Sequence, residues 1–481
     1  MSISISDLEP KALWSIFDRV TSIPRPSGHE QKIAKFIMDF AKAHQKSCTM
    51  DETGNVIIEV ESNNGKNAPL VILQGHMDMV PVVESGYSHD FLNDPIDTYI
   101  DNNKVKAHHT TLGADNGIAI AMMLALISEP SYKHGPLRLI FTVEEETSMK
   151  GASLLDKKYL QGDYLINLDS EDNGYVFASC AGSCDINIGF GYDTVKTENT
   201  RSLEISLDGF NGGHSGADIH LGRANAIKVL ATMLNDLAED YDFFIESIDG
   251  GFVRNSIPTK AKVTLAVDEC EFDAFKDAAV KCFNEVYEIF STTDPKATCT
   301  LKDTDTVNSL AYAQTLDLIH LLVALPDGIE RMSPVYEGIV ETSINLGVVK
   351  TLDNAIEISL LPRSLSGRAL EKETAKVLAL CDLTDSVEVS VSNLHEAWES
   401  ASHTHLIEVL DKCYKEITGC NFKITALHAG VECAQFAKAN KELQLISIGP
   451  TIEHPHSIDE CLDIEGTNQI FSTVCRALAI L

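Results

Sequence analysis

The 481-residue sequence predicts an α/β protein with an inserted α+β domain, and three observations lead there. Short apolar runs rich in β-branched residues alternate with helix-spaced segments in the first third, and the same texture returns near the end. Four of these predicted strands run directly into His, Asp or Glu. The middle of the chain reads differently, with strands of alternating exposure set among long amphipathic helices.

Taken in order, helix-spaced apolar residues over 13–16 and 33–40 predict two helices. The runs at 71–74, 137–143 and 164–168 are short, apolar and β-branched or aromatic, so they read as strands. An Ala/Met/Leu-rich helix at 117–128 separates the first two. Near the end come helices at 404–417 and 432–439, a strand at 443–448 and a helix at 467–477. Such alternation predicts a mixed sheet flanked by helices on both faces. In the middle, strands at 202–207 and 262–267 accompany helices at 224–237 and 273–290. A second pass runs from 310 to 361, with a helix near 370–381. The expected organisation is a discontinuous domain of 1–185 and 396–481 carrying an inserted domain of 186–395. No repeat, low-complexity stretch or Pro/Gly-rich linker marks either boundary.

Composition excludes several function classes. Hydrophobic residues at 44% and charged residues at 23% belong to a folded chain. Against 71 Asp and Glu stand 38 Lys and Arg, and the resulting charge of −33 repels nucleic-acid phosphates and anionic membranes. The longest strongly apolar run, 118–127, is about half the ~20 residues a bilayer demands. The opening MSISISDLEPKALW has neither a basic n-region nor an apolar core, so no signal peptide is expected. Twelve cysteines are scattered, mostly in apolar contexts, and Cys180 and Cys184 lack a second pair at zinc-finger spacing. A reducing, cytoplasmic setting is expected.

The chemistry lies at the strand ends. After 71–74 comes Gly75-His76-Met77-Asp78, after 137–143 comes Glu144-Glu145-Glu146, and after 164–168 comes Asp169. After 443–448 comes a Gly/Pro-rich segment ending in His456. Open α/β sheets bind ligands beyond the carboxyl ends of their strands, so these groups are expected at one edge. Asp115, in the loop before the apolar helix, joins them. Singly, each has a plain reading: Asp115 as a helix N-cap, the Glu triplet as a solvated turn, His76 as a hydrogen-bonded residue. His76 and Asp78, two apart on an extended segment, face the same way. That suits a metal-ligating imidazole steadied by a carboxylate, although Asp78 is also a possible ligand. Imidazole and carboxylate without thiolate suit zinc, and also cobalt or manganese. Two histidines and three carboxylates suffice for two metals if one carboxylate bridges, and a free carboxylate is then available as general base. The set describes metal-assisted amide hydrolysis.

These residues also carry a resemblance. GHMD at 75–78, GADNG at 113–117, FTVEEE at 141–146, INLDSED at 166–172 and PTIEHPHS at 450–457 resemble the co-catalytic zinc aminopeptidase, carboxypeptidase and aminoacylase family. GGHSGADIHLGRANA at 212–226, VRNSIP at 253–258, LPDGIERMS at 325–333, GIVETSINLGVV at 338–349 and HAGVEC at 428–433 narrow it to the aminoacyl-histidine (Xaa-His) dipeptidase group. The resemblance spans nearly the whole chain. It implies that His76 and Asp169 bind one metal, that Glu146 and His456 bind the other, and that Asp115 bridges them. It implies further that Asp78 orients His76, that Glu145 is the base and that the inserted domain is a lid and dimerisation surface. His214, with His220 as competitor, would assist substrate or oxyanion binding, and Asn255 and Arg363 would hold the substrate's carbonyl or terminal carboxylate. Two plainer readings compete here, His214 as a loop residue held by local turns and Arg363 as a surface ion-pair partner. Thr147-Ser148, and Leu394–Trp398 where the family has Tyr-Pro-Gly-Trp, depart from the pattern without removing a ligand or the base.

The implied activity is hydrolysis of dipeptides by a metal-activated water, with two divalent ions, zinc foremost. A small peptide is the expected partner, with a homodimer through the inserted domain. The near alternative is a sister hydrolase on the same site: an aminotripeptidase, carboxypeptidase or N-acyl amino-acid deacylase. The contrasting class is a catalytically silent binding protein, which loss of a ligand or of the base would favour.

Overall fold

The computed structural model describes residues 4–65, 68–305, 308–384, 386–400 and 403–481. The chain divides into two compact units, one of residues 1–179, 398–426 and 431–481, the other of 180–397 and 427–430.

Unit 1 is built on an eight-stranded mixed sheet in the order Ser47–Met50, Val56–Val60, Leu137–Thr142, Val71–His76, Tyr164–Asn167, Gln444–Ser447, Tyr175–Cys180, Lys423–Leu427. The four strands expected to carry the chemistry are neighbours, and each pairs in parallel with the next. Their carboxyl ends therefore lie along one edge. Strand Val71–His76 is buried throughout, as a strand covered on both faces must be. Helix Ala114–Ser128 packs on it and is buried from Ala114 to Ile127, which explains its lack of a polar face. Contact there is close: a Cβ on Gly75 would lie 2.3 Å from Asn116 Oδ1 and 2.8 Å from the Ala119 methyl. Helices Lys11–Thr21, Gln31–Ala43, His405–Thr418 and Ile464–Ile480 are amphipathic, and their apolar faces complete the core. A four-stranded antiparallel sheet, ordered Ile452–Glu453, Cys461–Asp463, Lys104–Ala107, Thr98–Asp101, holds the segment that carries His456.

Unit 2 is an antiparallel sheet in the order Thr298–Thr304, Thr200–Asp208, Ala261–Asp268, Phe243–Gly251, Val340–Thr351, Ala355–Ser364, Gly182–Gly191, Val387–His395, with Gly328–Met332 pairing on Val340–Thr351. Helices Ala226–Leu237, Phe272–Phe290, Tyr312–Ala324 and Gly367–Cys381 contribute apolar residues to its separate core.

Candidate metal centre

Each expected ligand is delivered by the end of a strand or by the turn after it. His76 is the last residue of its strand, Glu145 and Glu146 open the turn after Leu137–Thr142, and Asp169 lies two residues beyond Asn167. His456 comes from the loop that follows Ile452–Glu453. The structure brings five of them together. His76 Nε2 lies 2.9 Å from Asp115 Oδ1 and 3.2 Å from Asp169 Oδ1. His456 Nε2 lies 3.0 Å from Asp115 Oδ2 and 2.9 Å from Glu146 Oε2. Asp115 thus offers one oxygen to each imidazole. Nδ1 of His76 faces Asp78 Oδ1 at 3.4 Å, so Asp78 stands behind the ring rather than among the convergent atoms.

Asp78 has a second task. Its carboxylate accepts the backbone N–H of Glu145 at 3.1 Å and of Glu146 at 3.2 Å, and the Ser27 hydroxyl at 2.8 Å. One buried carboxylate thereby sets both the His76 ring and the Glu pair. Burial alone would raise its pKa, but His76, Ser27 and the Glu145 N–H outweigh burial and hold it at about 2. Asn116 stitches the same strands, accepting the His76 N–H at 3.1 Å and donating to the Leu168 carbonyl at 2.8 Å.

The electrostatics suit a cationic occupant. Burial favours the protonated form of Asp115, yet the two imidazoles prevail and keep it ionised. His456, facing two carboxylates, is pushed up to about 11. Burial raises Asp169 and Glu146, and it raises Glu145 well above the carboxylate range, with Asp169, Glu432 and Glu146 adding to the rise. Crowded carboxyl groups with raised proton affinity are what a site for positive charge looks like when its cations are left out of account. Glu146 Oε1 is buried without a hydrogen-bond partner among the described residues, and Asp169 Oδ1 has only the His76 ring at 3.2 Å, which leaves acceptors for a metal. His76, Asp115 and Glu146 each offer a ligand atom, all within 4.8 Å of one another. The residues fit divalent cations.

Two plain readings fail here. Asp115 is not an N-cap, because its oxygens face histidines while Glu460 takes the helix-start N–H groups. Nor is the Glu triplet a uniformly solvated turn: Glu144 pairs with Lys150, while Glu145 and Glu146 are only partly exposed.

Four acidic or basic residues of unit 1 escaped the sequence reading. Glu432 accepts from Gln74 Nε2 at 2.6 Å and Thr142 Oγ1 at 2.8 Å, and burial pushes it to about 8. Glu171 is pushed to about 8 by burial and by Asp115 and Asp169. Glu460 and Arg25 flank the Asp115 loop. Glu432, Glu171 and Glu460 all lie within or just beyond the quoted motifs, a signal that was present. Arg25 stands alone between two prolines and had none.

In unit 2, His214, Arg363 and a further histidine, His428, converge on Gly216. A Cβ there would lie 2.3 Å from the His428 carbonyl, 3.1 Å from His214 Cε1 and 3.3 Å from Arg363 Nε. His214 Nδ1 accepts the N–H groups of Gly216 at 3.2 Å and Ala217 at 2.9 Å. Burial and the neighbouring Arg363 keep the ring neutral, so its proton sits on Nε2. Arg363 is only 8% exposed and its Nε has no hydrogen-bond partner among the described residues, so it is not a surface ion-pair residue. Burial, with Arg254 beside it, lowers its pKa to about 10. His428 bonds Ser343 Oγ through Nε2 at 2.7 Å, and burial and Arg363 lower it to about 3. Asn255 is exposed, in a loop whose flanking carbonyls, Arg254 and Ser256, both accept from Asn345. His220 is exposed on a short 3-10 turn. None of the twelve cysteines is joined in a disulfide, and Cys180 and Cys184 are buried.

An α/β sheet that gathers two imidazoles and two further carboxylates around Asp115 has the donor set of a metallohydrolase. The chain belongs to peptidase family M20/M25/M40, whose model matches residues 72–479. It is 36% identical over 478 residues to the cytosol non-specific dipeptidase of Escherichia coli K12, an alignment covering 98% of each chain. The aminoacylhistidine dipeptidase structure from Vibrio alginolyticus superposes with a TM-score of 0.90 at 34% identity, over 100% of this chain and 98% of that one. The aminopeptidase PepT of Bacillus cereus, at 15% identity and a TM-score of 0.58 over 98% of both chains, shares the fold.

Proposed function

We propose that this chain is a cytoplasmic dipeptidase that cleaves Xaa-His and other dipeptides with two divalent cations, zinc foremost and cobalt or manganese as substitutes. One observation carries the reading: Asp115 presents one oxygen to each of two histidines, and each histidine faces a further carboxylate. His76, Asp169 and Asp115 would hold one cation, and Glu146, His456 and Asp115 the other. Oxygen and imidazole nitrogen are donors zinc accepts. Such a pair, when bound, acidifies water and polarises a carbonyl.

The chain's own residues do the rest. Glu145, whose proton affinity burial raises, takes the proton of the attacking water and returns it to the leaving amine. Asp78 keeps His76 and the Glu145 backbone in register. In unit 2, His214 has an Nε2–H to donate to the substrate carbonyl oxygen, and Arg363, with Asn255, would hold the free carboxylate. The same reading makes unit 2 a lid and the surface for a homodimer. The names of the Escherichia and Vibrio relatives support a dipeptide substrate, and cysteines without disulfides fit a reducing compartment.

The test is a substrate panel of dipeptides, tripeptides and N-acyl amino acids, with and without chelator, beside a mass measurement of the native particle. Chelator-sensitive release of amino acids from dipeptides is expected. Preferential cleavage of tripeptides or acyl amino acids would move the assignment to a sister hydrolase, and chelator-resistant activity would overturn the metal.

A further inference from the structure

An aspartate at the start of a helix ordinarily turns its carboxylate back onto the first free N–H groups of that helix. Asp115 stands at such a place yet has both oxygens on histidines. Regular helical dihedrals begin only after Asp115 and Asn116, and the N–H groups of the segment leading into them are taken by Glu460, 345 residues further along the chain. Its Oε2 accepts from Leu112 at 2.7 Å and Gly113 at 2.9 Å, and its Oε1 accepts from Ala114 at 2.8 Å and Asp115 at 3.3 Å. Four consecutive donors thus converge on one carboxylate that is 3% exposed.

The opposite side of the loop is held as firmly. Arg25, 1% exposed, donates through Nη2 to the Gly113 carbonyl and through Nη1 to the carbonyls of Met77 at 2.9 Å and Asp78 at 2.7 Å. Gly113 has φ +68°, and a Cβ there would lie 2.7 Å from Arg25 Nη2, so glycine leaves the room this contact needs. The guanidinium therefore ties the segment carrying Asp78 to the loop carrying Asp115. Glu460 ties that loop to the hairpin of His456, whose strand Cys461–Asp463 begins at the next residue.

We infer that Glu460 and Arg25 are positioning residues for the metal centre: they fix the backbone of 112–115 so that both Asp115 oxygens stay turned to the histidines and free to bridge. Without Glu460, four buried N–H groups lack an acceptor, and the backbone that aims Asp115 at the histidines is no longer held. The inference rests on the reading that Asp115 bridges two cations.

Zinc affinity and stoichiometry of the full chain, measured by competition with a chromophoric chelator, test it. Glu460→Gln keeps the shape but turns an amide N–H₂ toward donors. It is expected to weaken zinc binding about 10- to 100-fold, the usual cost of losing a partner behind a ligand, while circular dichroism stays that of wild type. In an Asp115→Asn background the same change should cost less than about threefold, because the oxygen it protects is already gone. Arg25→Lys, which leaves Glu460 intact, should show the same coupling to Asp115→Asn. Wild-type zinc affinity in Glu460→Gln, or equal losses in both backgrounds, would overturn the inference and leave the di-metal reading standing. Wild type without zinc, or Asp115→Asn binding as well as wild type, would sink that reading itself.

Discussion

Glu145 and Glu146 are adjacent in sequence and differ in what they face. Glu146 faces His456 at 2.9 Å, whereas no such contact holds Glu145 among the described residues. Glu145→Gln should therefore cut turnover by about 10²–10⁴-fold, the range for a lost general base, with metal content near wild type. Glu146→Gln should lower metal occupancy instead, and metal analysis beside kcat separates the two. The reverse pattern would exchange the roles. Arg363 offers a second test. Its buried guanidinium has an unused Nε–H, a costly state unless a substrate group completes it. Arg363→Ala should reduce kcat/KM for dipeptides by about 2–5 kcal/mol, as truncation of one partner of a buried charge pair does. The variant should also lose discrimination between a dipeptide and its C-terminal amide. Retained discrimination would show that another group reads the carboxylate.

At the scale of the element, the site depends on how closely strand Val71–His76 approaches helix Ala114–Ser128. Gly75 permits that approach, and Asn116 reaches across it to the His76 N–H. Gly75→Ala places a methyl group against Asn116 Oδ1 and Ala119, and overpacking of this kind costs about 1–3 kcal/mol. Urea denaturation should show that loss, and metal affinity should fall with it because His76 and Asp115 sit on the two elements being forced apart. A loss of stability with unchanged metal affinity would mean that the strand and helix yield elsewhere. The strands and this helix were legible because short β-branched runs and a long Ala/Leu/Met run leave distinct patterns. The small antiparallel sheet that holds the His456 loop was not, since strands of two to four residues carry too little periodicity to register.

For the whole molecule, two separate apolar cores predict two unfolding events. All the proposed metal ligands lie in unit 1, so stripping the metal should lower only the transition of that unit. Re-addition at about 100 times Kd should restore about 2.7 kcal/mol. Differential scanning calorimetry with and without chelator checks both statements, and a single transition, or two that shift equally, would refute the separation. The charge of −33 adds to the same effect, because bound cations relieve repulsion among carboxyl groups already pushed toward protonation.

The sequence by itself determined the four parallel strands at the centre of the unit 1 sheet and the residues that follow them. Periodicity is a local property, and in an α/β sheet strand direction carries every carboxyl end of a parallel run to one edge. It therefore sufficed for His76, Asp78, Glu145, Glu146 and Asp169. What only the tertiary structure decided is which local preference gives way. Taken alone, Asp115 reads as a cap, yet its oxygens face two histidines while Glu460, distant along the chain, accepts the N–H groups of its loop. Likewise nothing near Arg363 in sequence marks it as buried. Its place beside His214 and His428 follows from the pairing of strands and from a four-residue return of the chain, 427–430, into unit 2. A hydrogen bond or a buried charge is a relation between residues far apart in the chain, and local sequence patterns do not record such relations until folding makes them neighbours.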